Sequence, residues 1–169
     1  MKSILTAAGC ALLTTACATV APDGPSATAV VRPASGSQVH GEAKFTQVGN
    51  RVRVTAEIAG LTPGAHGFHI HEKGDCSAAD GMSTGGHFNP LAKKHGAPDT
   101  PDRHAGDLGN LTANEYGKAT LALTVDGISV SKGPDGIIGR GLIVHANADD
   151  LKTDPTGNAG GRFGCGVIE

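Results

Sequence analysis

Large aromatic residues are scarce in this chain. Among 169 residues there is no tryptophan, a single tyrosine (Tyr116) and four phenylalanines. A core built on large rings is thereby excluded, and Val, Ile, Leu and Ala must be packed between turns. A basic excess is missing too. Fourteen Lys and Arg stand against 16 Asp and Glu, a net charge of −2, so the footprint of a nucleic-acid partner is absent. There are no runs of like charge, no internal repeats and, beyond the leader, no stretch of ten or more residues with helical periodicity. Glycine is abundant instead: 26 residues, about twice the usual share of roughly 7%.

The first residues, "MKSILTAAGCALLTTACATVAPDG", carry one charge, Lys2, then an apolar stretch from Ile4 to Ala16 and small residues around Cys17. This is the pattern of an export signal, too short to span a bilayer comfortably. Residues 1–18 read as that signal, 19–26 as a spacer and 27–169 as the folded domain. Two processing routes stay open. Cleavage after Ala18 releases a soluble protein; cleavage before Cys17, within "LTTAC", leaves a cysteine for lipid attachment. Of four cysteines, Cys10 leaves with the signal and Cys17 is removed or lipidated. The remaining pair, Cys76 and Cys165, reads as a disulfide in an exported protein.

Beyond the spacer the pattern is strand-like. "RVRVTAEIAGL" alternates, with Val52, Val54, Ala56 and Ile58 on one face and Arg51, Arg53, Thr55 and Glu57 on the other, the mark of a half-buried strand. "TAVVRP", "QVHGEAKFTQ", "HGFHIHE", "TLALTV" and "IIGRGLIVHA" also read as strands, and "VGN" as a hairpin turn. Short strands between Gly, Pro and Asn signals predict an all-β antiparallel sandwich or barrel. Two long regions, about Glu72 to Leu111 and about Asn147 to Arg162, read as loops, and loops of this length are usually functional.

Histidines gather in or beside these loops. His69 and His71 are two apart, which on a strand puts both on one face. His87, His95, His104 and Asp107 follow, and His145 stands on a later strand. Imidazole suits Zn, Cu, Fe and Ni. Six imidazoles are too many for one zinc, which takes four ligands, but two ions can share the set if one ring uses both nitrogens.

The motifs "GFHIHE", "GGHFNP", "KHG", "RHAGDLGN", "IIGRGLIVHANADDL" and "GNAGGRFGCGVI" resemble, in order and spacing, those of the copper/zinc superoxide dismutases. The resemblance covers about residues 27 to 169. It implies a Greek-key antiparallel β-sandwich or barrel of immunoglobulin-like type with two long functional loops. It also implies a redox-cycling copper, Cu(II)/Cu(I), on His69, His71, His87 and His145. A structural Zn(II) would lie on His87, His95, His104 and Asp107, with His87 bridging as an imidazolate. Arg162 and His87 are the implied catalytic residues, the first attracting superoxide and the second moving a proton. Asp149 is the implied carboxylate behind a copper histidine and a zinc histidine, and Cys76–Cys165 ties the first loop to the last strand.

Two departures stand out. Cys76 lies five residues after His71, the placing of bacterial members. The second loop is short, and Lys152 and Asp154 stand where animal members carry a charged run. The export signal, the paired cysteines and the placing of Cys76 together predict a bacterial periplasmic enzyme, soluble or anchored as a lipoprotein. Monomer and homodimer are both left open. The alternative is an exported copper/zinc buffer or chaperone without turnover. His40 is expected on the surface and His66 packed beneath the site; Glu72, Lys93, Lys94, Asp102 and Arg103 are expected as ordinary solvated charges.

Overall fold

The computed structural model describes residues 23–169; the stretch read as an export signal, with Cys10 and Cys17, lies outside the described residues. Eight strands make up the fold: β1 (Asp23–Pro33), β2 (His40–Val48), β3 (Arg51–Ala59), β4 (Gly64–His71), β5 (Asp107–Ala113), β6 (Ala119–Val125), β7 (Gly141–His145) and β8 (Arg162–Val167). All pairings are antiparallel, in the order β5-β4-β7-β8-β1-β2-β3-β6. The sheet curls into a nearly closed barrel whose edges, β5 and β6, are joined by the turn at Asn114–Lys118. A three-residue 3₁₀ turn, Met82–Thr84, interrupts the first long loop.

The alternation of β3 decides its orientation. Val52, Val54, Ala56 and Ile58 are buried, and Arg51, Arg53, Thr55 and Glu57 are exposed. Phe45, Phe68, Ile70, Leu111, Leu142 and Val144 join them in the barrel interior. Gly49 and Asn50 form the two-residue β2–β3 hairpin loop, with Gly49 at φ 60, a conformation glycine adopts without a side-chain clash.

Four features depart from the sequence reading. β1 starts at Asp23, inside the stretch read as spacer; Ser26 pairs with Thr46 and Asp23 with Val48. Backbone pairing recruits these polar residues although their side chains stay exposed. Residues 107–113, read mostly as loop, form β5, because Gly109 and Asn110 mimic turn signals. Gly109, at φ 78, belongs to a bulge: Gly67 pairs with Asn110 and His69 with Asp107, so β5 holds one extra residue there. β7 begins only at Gly141, leaving a third long connection, 126–140, whose Ile128, Val130 and Ile137 are buried in the barrel core. Last, Arg103 is not a solvated charge. It is 5% exposed, and its guanidinium donates to the carbonyls of Pro98, His104, Ala105 and Asp126 and to the Asp126 carboxylate.

Candidate metal centre

Period two on β4 sends Phe68 and Ile70 into the barrel and His69 and His71 outward. Outward is not exposed here, since both histidines are fully buried beneath the loops. The first loop returns along the end of β4: Phe88 N donates to Ile70 O at 2.8 Å and Glu72 N to Gly86 O at 3.0 Å. This short extra pairing sets His87 opposite His71. The β5 bulge aims Asp107 at the same place, and β7 delivers His145.

Two groups of four result: His69, His71, His87 and His145, and His87, His95, His104 and Asp107. Within each group the candidate ligand atoms lie within 4.8 Å of one another, and His87 belongs to both. Each ring is oriented by its other nitrogen. His69 Nε2 meets Asp149 Oδ2 at 2.7 Å, His71 Nδ1 meets Gly85 O at 3.0 Å and His145 Nδ1 meets Gly160 O at 3.1 Å. The opposite atoms, His69 Nδ1, His71 Nε2, His87 Nε2 and His145 Nε2, are buried without a hydrogen-bond partner. A buried polar atom left unpaired costs about 1–3 kcal/mol, so four converging ones fit a cation that uses their lone pairs. Four imidazole nitrogens are a donor set that Cu(II) favours.

In the second group, Asp107 Oδ1 lies 2.8 Å from His87 Nδ1, 3.1 Å from His95 Nδ1 and 3.4 Å from His104 Nδ1. His104 Nδ1 lies 3.4 Å from His87 Nδ1. A tetrahedron with bonds of roughly 2.0–2.1 Å has edges of about 3.3 Å, so these residues fit zinc.

Charge in the site follows from burial and pairing. Burial lowers the pKa of His71 well below its usual value, and the neighbouring His87 adds to it. Burial brings His87 to about 4 against the opposing hydrogen bond to Asp107, and His145 to about 3 with help from His69. Burial works to raise Asp107, but contacts with His104, His87 and His95 hold it far below the carboxylate range. Asp149 behaves likewise, held down by His69 and His95. Burial would lower His95, but the two carboxylates beside it raise it to about 10.

Asp149 Oδ1 meets His95 Nε2 at 2.8 Å while its Oδ2 holds His69, so one carboxylate spans the two groups. Asn110 clamps it from β5, donating to Asp149 O at 2.9 Å and accepting from Asp149 N at 2.8 Å. Arg162 begins β8 and donates to Gly81 O, Thr84 Oγ1 and Gly85 O at 2.8–2.9 Å. Its charge acts on both His71 and His145. Gly85 O thus accepts from Arg162 and from His71 Nδ1, joining the cation to the first group. Cys76 and Cys165 are disulfide-bonded, with Cα atoms 5.8 Å apart, and fasten this loop to β8.

The ligand, carboxylate, arginine and cysteine positions expected from the sequence therefore converge on one region. His40 is exposed, and His66 is buried with Nδ1 against His145 O at 2.9 Å, both as expected. Asn110, Thr84 and Gly85 carry no such expectation, since nothing local distinguishes an Asn, a Thr or a Gly that acts through a distant backbone.

Fold and ligand groups together define a β-barrel with two adjoining four-residue groups suited to metal ions, one histidine common to both. The family described as copper/zinc superoxide dismutase (SODC) matches residues 39–168, and the chain belongs to that family. Its structure is similar to the crystal structure of the clock protein EA4, with 44% identity over 92% of this chain and 98% of that one and a TM-score of 0.76.

Proposed function

We propose that this protein dismutates superoxide: two superoxide anions and two protons give dioxygen and hydrogen peroxide. The observation that carries the reading is His87, whose Nε2 joins the four-imidazole group while its Nδ1 joins the group built on Asp107. The four-nitrogen group suits copper, and the three-nitrogen, one-carboxylate group suits zinc. Bound copper supplies the one-electron couple Cu(II)/Cu(I) for both half-reactions, and zinc, which is redox-silent, supplies fixed charge.

His69, His71, His87 and His145 hold the copper, and His87, His95, His104 and Asp107 hold the zinc. Arg162 keeps its proton at any working pH, so it offers a permanent positive charge to a small monoanion beside the copper side. Its three fixed acceptors keep it from folding onto a carboxylate. In the half of the cycle in which His87 Nε2 holds no metal, that atom would carry a proton and pass it to the peroxide product. Asp107 fixes the opposite edge of that ring, so the proton returns to one defined place. Asp149 keeps His69 and His95 in register.

The same reading puts the protein in a bacterial periplasm, soluble or lipid-anchored through Cys17. The export-signal pattern, the Cys76–Cys165 disulfide and the placing of Cys76 after His71 support it. Superoxide decay measured with copper and zinc, with zinc alone and with neither metal tests the function. Catalysis is expected only with copper present. Both metals bound without turnover would overturn the proposal and leave metal storage or delivery.

A further inference from the structure

Asp154 is one of the few charges of the second loop. Its carboxylate is exposed but engaged. Asp154 Oδ1 accepts the backbone N–H of His95, across 59 residues of sequence. His95 lies on no strand, and neither its N–H nor that of Gly96 is bonded within its own connection. Its main chain is placed from outside: its own N–H by Asp154, and the next, Gly96 N–H, by Asp107 Oδ2 at 3.1 Å.

The loop that reaches His95 is itself braced. Asp150 accepts from Lys152 N, Thr153 N, Thr153 Oγ1 and Asn158 Nδ2 at 2.6–3.1 Å. Gly157 N donates to Thr153 O, and Asp150 N to Gly157 O. Residues 150–158 thus form a closed cage, with Asp154 at its tip and Gly157 packed against Asp149 and the His95 ring. Three carboxylates converge on one residue: Asp107 and Asp149 on the ring of His95, Asp154 on its backbone.

We infer that Asp154 is a positioning residue for the zinc half of the centre, and that the short second loop braces His95. The inference rests on the assignment of zinc to the His87, His95, His104 and Asp107 group. Outer partners of metal ligands typically contribute about ten- to a hundredfold in metal affinity. Asp154→Ala should therefore weaken zinc binding about tenfold or more and leave copper affinity within about twofold. Asp154→Asn keeps an oxygen that accepts the same N–H and should restore zinc binding.

The test is chelator competition with zinc, and separately with copper, on wild type and both variants. Cobalt(II) in the zinc position adds a visible spectrum that reports tetrahedral geometry. The expected result is weaker zinc binding and an altered cobalt spectrum in Asp154→Ala only, with the salt dependence of superoxide decay unchanged. Equal zinc affinity in all three proteins would overturn the inference, as would equal loss of copper and zinc. So would an Asp154→Asn variant as weak as Asp154→Ala. If Asp154→Ala does not fold, hydrogen exchange of the His95 amide in metal-free wild type decides: slow exchange supports the brace and fast exchange overturns it. Wild-type protein that binds zinc but does not turn over superoxide would sink the dismutase reading and leave the brace standing.

Discussion

Replacing Gly157 by alanine probes the connection between the two ligand groups at its tightest point. A Cβ at that position would sit 1.8 Å from Asp149 Oδ1 and 2.7 Å from His95 Nε2. No rotamer relieves such a contact, so either the cage opens or the Asp149 carboxylate swings away. Swinging away gives up the bonds to His95 and His69, each worth about 1.5–3 kcal/mol where one partner is charged. Gly157 also has φ 60, where alanine costs roughly 1–2 kcal/mol. A loss of about 4–8 kcal/mol is expected, a large part of a typical domain's 5–15 kcal/mol. Gly36 supplies the control. It has φ 72, and the methyl group of an alanine there would meet nothing within 4 Å, so Gly36→Ala carries the backbone cost alone. Urea unfolding of the metal-free proteins would measure both. If Gly157→Ala loses no more than Gly36→Ala, Asp149 is not held as described.

Arg162→Ala should lower the superoxide rate by about tenfold or more while both metals stay bound, read by pulse radiolysis and metal analysis; an unchanged rate would remove Arg162 from anion attraction. The stability of the metal-free protein should peak near neutral pH. Buried His71, His87 and His145 have lowered pKa values, so the unfolded chain, with histidines near 6.5, binds more protons and stability falls as pH drops from about 6.5 toward 4. His95, raised to about 10, acts oppositely: its contribution is full below about 6.5 and is lost as pH rises through about 10. Urea midpoints at pH 4, 6.5 and 9.5 check this, and a midpoint higher at either extreme would contradict it. Replacing both Cys76 and Cys165 by alanine opens a loop closed across 89 residues and should cost about 4–5 kcal/mol by loop entropy, seen as a lower urea midpoint.

The parts of the molecule legible in the sequence were those whose cause is local. The alternation of 51–58 places β3, and the spacing of His69 and His71 fixes their shared face whatever else surrounds them. The Gly109–Asn110 pair misleads because the signals of a turn and of a bulge are alike, and only pairing with Gly67 separates them. Arg103 misleads because its partners, from Pro98 to Asp126, come together only when the first long loop packs against the turn after β6. Asp149 entered through family resemblance and not through any local pattern. Asp154 and Gly157 act on His95 across roughly sixty residues, and no periodicity records a contact made between two loops.

The most direct measurement is superoxide decay by pulse radiolysis on protein loaded with copper and zinc, at low and high ionic strength, beside the metal-stripped form. A fast, copper-dependent decay that slows as salt screens Arg162 is expected. Decay no faster than that of the stripped protein, with both metals shown to be bound, would contradict dismutation.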